Sequence, residues 1–168
     1  MNNIWFTSDS HWGHKNLCLG VSEWDDKHLS ARKFDTLEEM NELIVSNINK
    51  YVKEDDILYH LGDWSFGGIE NIWKFRKLIK CKNIYLVPGN HDHHIKKNKE
   101  LPNCSEFNGE FTDKVKEFPN TASIYACFAK FLFTEVLSEL TKITIDKQEV
   151  ILCHFPLEEW ENMDRGSI

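Results

Sequence analysis

Four short runs of β-forming residues each stop abruptly at side chains able to hold a metal ion. Ile4-Trp5-Phe6-Thr7-Ser8 runs into Asp9-Ser10-His11, Ile57-Leu58-Tyr59-His60-Leu61 into Gly62-Asp63, Ile84-Tyr85-Leu86-Val87 into Pro88-Gly89-Asn90-His91-Asp92, and the stretch ending Val150-Ile151-Leu152 into Cys153-His154. Carboxylate and amide oxygens combined with imidazole nitrogens suit manganese, iron or zinc, unlike the thiolate-rich sets of structural zinc sites. In open α/β sheets ligands gather outside the carboxyl ends of the strands, so residues this far apart in sequence are expected to meet there.

The individual signals differ in strength. Asp9-x-His11, read as extended chain, puts both side chains on one face to grip one ion; alone, it is also the pattern of a turn aspartate beside a surface histidine. Gly62-Asp63 offers a carboxylate whose two oxygens could reach different cations, and is equally a strand-to-loop turn. Gly89-Asn90-His91-Asp92 is more specific, because a turn glycine and three polar groups directly follow an apolar run. His154, before Phe155-Pro156, reads as a ligand at a strand edge or as a satisfied core histidine.

The elements that position these groups follow from periodicity. Leu37, Met40, Leu43, Ile44, Ile48 and Tyr51 recur at spacings of three and four, predicting a helix capped by Asp35 or Thr36. Ile69, Ile72, Trp73, Arg76 and Ile79 predict a second. Strand, helix, strand, helix, strand implies parallel pairing through crossovers. Residues 94–123, with the basic run Lys96-Lys97-Lys99, show no clear period and read as loop with one helical turn. Lys142 to Leu152 reads as a hairpin around Asp146-Lys147.

At 168 residues one domain is expected. With 20 basic against 27 acidic side chains the net charge is −7, which disfavours a general nucleic-acid binder. A dication cluster in a cleft would reverse that field locally, so phosphorylated substrates stay open. The five cysteines are widely spaced with no C-x-x-C pair, which fits a reducing compartment. No leader-like segment or long apolar span stands out, and a cytoplasmic location is expected.

In order, Asp9-x-His11, Gly62-Asp63, Gly89-Asn90-His91-Asp92 and His154 resemble the ordered motifs of the calcineurin-like metallophosphoesterase superfamily. Ser8 to His14, Leu61 to Gly67 and Cys153 to Leu157 look like its small, single-domain bacterial and phage members. The resemblance implies an α/β fold with a two-sheet β-sandwich flanked by helices. It implies two divalent cations, manganese first, with iron, zinc or nickel as alternatives. Asp9 and His11 would hold one, Asn90 and His154 the other, and Asp63 would bridge them. A hydroxide between the ions would attack a phosphate ester, with His91 as catalytic imidazole and Asp92 as its orienting partner. His14, Asn16 and Arg32 are candidates for contacts to a small phosphorylated substrate, monoester or diester.

The superfamily pattern closes with Gly-His-x-His, which is absent before Ile168. The expectation from this is a chain lacking C-terminal strands, with three protein ligands per cation. Two rivals follow: a scaffold of the same fold with weak or no catalysis, and a nuclease. The acidic balance and lack of a basic-aromatic groove count against the nuclease.

Overall fold

The computed structural model describes residues 2–96 and 132–157. Its first sheet is parallel throughout, in the order β1 (Ile4–Thr7), β2 (Ile57–His60), β3 (Asn83–Leu86) and β4 (Glu135–Val136). The register pairs Thr7 with His60 and His60 with Leu86. Three strands therefore end in one row, and the loops carrying Asp9, Asp63 and Asn90 leave the sheet from the same edge.

The connection leaving β1 opens with short helices: two 3-10 turns at 15–17 and 19–21, and α1 (Lys27–Ser30). The crossover from β1 to β2 contains α2 (Leu37–Tyr51), and that from β2 to β3 contains α3 (Ile69–Leu78). Thr36 caps α2, its side-chain oxygen accepting from the Glu39 N–H at 3.2 Å. Met40 is buried in α2, and Ile44, Val45 and Ile48 pack on the core. Leu43 and Tyr51, expected on that face, are exposed instead, because the sheet covers a narrower stripe of the helix than the apolar spacing suggests. In α3 the buried face is Ile72 and Phe75, with Ile79 just beyond the last turn. Arg76 donates to the carbonyls of Leu132 and Ile79.

The strands alternate between buried and half-buried positions. Leu58, His60, Ile84 and Leu86 face the core. The other face carries Phe6, Tyr59 and Tyr85, stacked ring on ring at 5.4 and 5.1 Å. The sheet is thus buried on one face only. At the far ends of β1 and β2, Asp56 ties the two together by accepting from Asn3 N–H, Trp5 Nε1–H and Lys53 N–H.

Trp64 anchors the loop after β2. It is fully buried, lies 4.4 Å from Phe75 and 5.0 Å from Phe133, and donates its indole N–H to the Ile72 carbonyl. Truncating a buried tryptophan of this kind typically costs about 3–5 kcal/mol, so the residue following Asp63 is fixed by the core.

After β3 comes one helical turn, α4 (His93–Lys96), as expected; residues 97–131, with the rest of the basic run, lie outside the described residues. A second, antiparallel sheet pairs β5 (Leu140–Ile145) with β6 (Gln148–Cys153). Its turn is Asp146-Lys147, both with positive φ, as a two-residue hairpin connection requires.

Candidate metal centre

The loops after β1 and β2 run side by side beyond the strands. Asp9 N–H donates to Gly62 O at 2.9 Å and His11 N–H to Asp63 O at 2.9 Å. Asp9, His11 and Asp63 have φ of 53°, 47° and 55°, so all three stand in the left-handed region. That conformation costs a non-glycine residue roughly 1–3 kcal/mol and persists where surrounding bonds hold it. The extended Asp9-x-His11 geometry expected from spacing is therefore corrected: the side chains converge because the backbone curls at both residues. His11 Nε2 lies 3.6 Å from Asp9 Oδ1 and 3.3 Å from Asp63 Oδ2.

Asp63 is the hub. Its Oδ2 faces both His11 Nε2 and, at 3.5 Å, His154 Nε2, while Oδ1 accepts from the His91 N–H at 2.9 Å. Its side chain is 4 % exposed, against 52 % for Asp9. Among the described residues, two sets of potential ligands have donor atoms within 4.8 Å of one another: His11, Asp63 and His91, and Asp9, Asp63 and His154. Asp63 belongs to both. Asn90 joins through its Oδ1, 3.1 Å from His154 Nε2.

The glycines are needed for this closeness. A Cβ on Gly62, whose φ is +92°, would come within 2.6 Å of both Gly89 N and His154 Nδ1. A Cβ on Gly89 would overlap Asp63 Oδ1.

Asp92 sits behind the site, 2 % exposed. Its carboxylate accepts from the N–H groups of Asp63 at 2.7 Å, Gly89 at 2.8 Å and Trp64 at 3.0 Å. Burial pushes its pKa up, and those same hydrogen bonds oppose the shift. Its bonds thus run to the backbone of two ligand loops, where the resemblance implied a bond to the His91 imidazole. It orients the turn that carries Asn90 and His91 against the one that carries Asp63.

The substrate-contact candidates separate. His14 is buried, with its ring 5.7 Å from that of His11 and 6.3 Å from that of His91. Arg32 donates to the carbonyl oxygens of Asp9 and Ser10, so its guanidinium clamps the first ligand loop. Asn16 accepts from Glu23 N–H at 3.1 Å and braces the 15–23 segment.

Sequence reasoning passed over Ser10 and His60. His60 is fully buried on β2, and its Nε2 lies 2.8 Å from the Oγ of Ser10, the residue between the candidate ligands Asp9 and His11. Burial lowers its pKa to about 3. A histidine on the core-facing register of an apolar strand was the available signal.

Burial lowers the His11 and His14 pKa values as well, and for His11 the Asp63 carboxylate opposes the shift. Neutral imidazoles are the form that ligates metals. The donor set passes a stricter test at His154. Its Nδ1 lies 2.7 Å from Leu61 O, an acceptor, so Nδ1 carries the proton and a neutral ring turns an Nε2 lone pair toward Asn90 Oδ1 and Asp63 Oδ2. In that form the three atoms facing one another could hold a cation between them. Among the described residues His11 Nδ1 also finds no hydrogen-bond partner, though it is buried.

Comparison with known proteins agrees. Over 94 residues the chain is 33% identical to the uncharacterized protein MJ1445 of Methanocaldococcus jannaschii, a match covering 55% of this chain and 48% of that protein. The chain thus spans about half the length of that relative. The fold is similar to the crystal structure of the protein of unknown function AQ665 from Aquifex aeolicus, with a TM-score of 0.52 and 23% identity over 93% of this chain and 62% of that one. Residues 3–166 match the family model of the calcineurin-like phosphoesterases. The chain belongs to the calcineurin-like phosphoesterase family.

Proposed function

We propose that this chain hydrolyses a phosphate ester at the edge where β1, β2 and β3 end. The observation that carries the reading is the convergence of Asp63 Oδ2, His154 Nε2 and Asn90 Oδ1, an acceptor cluster that a bound cation would satisfy. Asp9, His11, Asp63, Asn90 and His154 would hold two divalent cations, manganese first, with Asp63 common to both. Bound there, such ions supply Lewis-acid charge and lower the pKa of water to near neutrality.

The chain's own residues do the rest. Asp63, locked by Trp64 and Asp92, fixes the centre. His91 places its imidazole 5.2 Å, ring to ring, from His11, and gives up a proton to the leaving-group oxygen. The phosphorylated substrate is small, and the net charge of −7 leaves its attraction to the centre itself. The two sheets fit a sandwich flanked by helices within a single domain. No described helix is long and apolar enough to cross a membrane; a cytoplasmic location is part of this proposal.

The test is hydrolysis of bis(p-nitrophenyl) phosphate by protein stripped with chelator, before and after manganese is added. Activity should return with the metal and disappear in Asp63→Asn. Metal binding without hydrolysis of this or any aryl phosphomonoester would favour the scaffold reading, and activity that survives chelation would sink the proposal.

A further inference from the structure

An aromatic wall leads outward from the candidate metal centre, and its outer rings, Phe66 and Trp24, have no part in the phosphoester chemistry described so far. The rings of His11, His14 and His91 stand within 5.2–6.3 Å of one another. Phe66 packs on two of them, 4.0 Å from His14 and 5.8 Å from His91, and Trp24 lies 5.6 Å from His14. His14 is 7 % exposed, whereas Phe66 and Trp24 are 41 % and 37 % exposed. Apolar ring surface therefore opens to solvent beside the most polar part of the molecule.

Phe66 is held for this position rather than left loose. Its N–H donates to Trp12 O at 2.9 Å, and its carbonyl accepts from Asn71 Nδ2 at 2.6 Å. Gly67 and Gly68 follow with φ of 98° and 86°, a path that L side chains rarely take. A Cβ on Gly67 would meet Asn71 Nδ2 at 2.5 Å, so the turn fits closely around the side chain that pins it. A rigid, half-exposed ring loses little freedom when a second ring stacks on it.

We infer that Phe66 and Trp24 form a stacking subsite for a planar ring carried by the phosphate ester, of nucleobase or aryl type. The inference rests on the phosphoesterase reading of the adjacent centre and adds the class of group attached to phosphorus. Stacking suits a chain of net charge −7, because a neutral ring gains affinity without needing a basic patch. The contact is worth about tenfold or more in affinity, as for bases stacked on protein aromatics.

The test is calorimetric titration of the manganese-loaded protein with three phosphonates, whose carbon–phosphorus bond resists hydrolysis. These are ethylphosphonate, phenylphosphonate and the methylenephosphonate isostere of adenosine monophosphate. At least one aromatic ligand should bind about tenfold tighter than ethylphosphonate. A preference for phenylphosphonate would place the ring directly at phosphorus, and one for the adenosine compound would place it a sugar away. Phe66→Ala should bring the ratio close to one. Phe66→Leu, which keeps apolar packing against His14 but removes the π face, should lower it too, and Phe66→Tyr should keep it. Equal affinity for all three ligands, or a ratio unmoved by both Phe66→Ala and Phe66→Leu, would overturn the subsite alone. Failure of every phosphonate to bind would overturn the phosphoesterase reading and this inference with it.

Discussion

His154 Nδ1 lies 2.7 Å from the carbonyl oxygen of Leu61, so the end of the β5-β6 hairpin is fastened to the end of β2. The bond fixes more than position. By consuming the Nδ1 proton it sets the tautomer, and the remaining nitrogen points its lone pair at Asn90 and Asp63. One backbone carbonyl thus decides which atom of a histidine 93 positions away is free to bind a cation.

His154→Ala should accordingly weaken manganese binding by at least about tenfold, the lower end of what lost support at a metal ligand costs. His154→Gln, which offers an amide of similar reach but no imidazole, should recover only part of it. Isothermal titration with manganese reads both. Unchanged affinity in His154→Ala would show that the acceptor cluster is not the cation site.

His91→Ala should slow turnover by roughly 10²–10⁴-fold, the usual contribution of a positioned general acid, with metal content largely kept. The defect should shrink for esters with good leaving groups, which need less protonation. His91 shares a potential ligand cluster with His11 and Asp63, so the competing role is concrete. Loss of one metal from His91→Ala, measured by elemental analysis, would make His91 a ligand.

Much of this arrangement was legible in sequence because the apolar runs end so sharply. Strand ends, the two long helices, the Thr36 cap and the Asp146-Lys147 turn all follow from local pattern, and parallel pairing follows from their order. What escaped depends on tertiary contact. Asp9 and His11 converge through left-handed φ values held by Gly62 and Asp63 carbonyls, which a spacing argument for extended chain cannot anticipate. Phe75 is buried because Trp12 and Trp64 reach it, whereas Leu43 and Tyr51 meet too little of the sheet to be covered. Asp92 looks in sequence like a partner for its neighbour, yet its oxygens go to three backbone N–H groups.

His60 gives the last prediction, since its environment fixes a sign. The ring is fully buried, held by Ser10 Oγ at 2.8 Å through Nε2, and among the described residues its Nδ1 has no hydrogen-bond partner. Desolvation, the largest influence, lowers its pKa to about 3, with the Asp9 carboxylate opposing. In the unfolded chain the same imidazole protonates near pH ~6.5. Between these values unfolding takes up a proton that the folded protein refuses. The contribution of neutral His60 is therefore fully present above pH ~6.5 and falls as the pH drops toward ~3, by about 1.4 kcal/mol per pH unit. His60→Gln retains a group able to bond Ser10 but cannot titrate. It should be less stable than the parent near neutral pH by about 1–3 kcal/mol, the usual range for a disturbed buried polar contact. The gap should narrow steadily below pH ~6.5 and close or reverse in mild acid. Denaturant unfolding of the metal-free proteins at several pH values measures it directly. Stability curves for the two proteins that stay parallel across that window would mean that His60 takes up its proton in the fold as it does in the unfolded chain, and that burial does not hold the ring neutral.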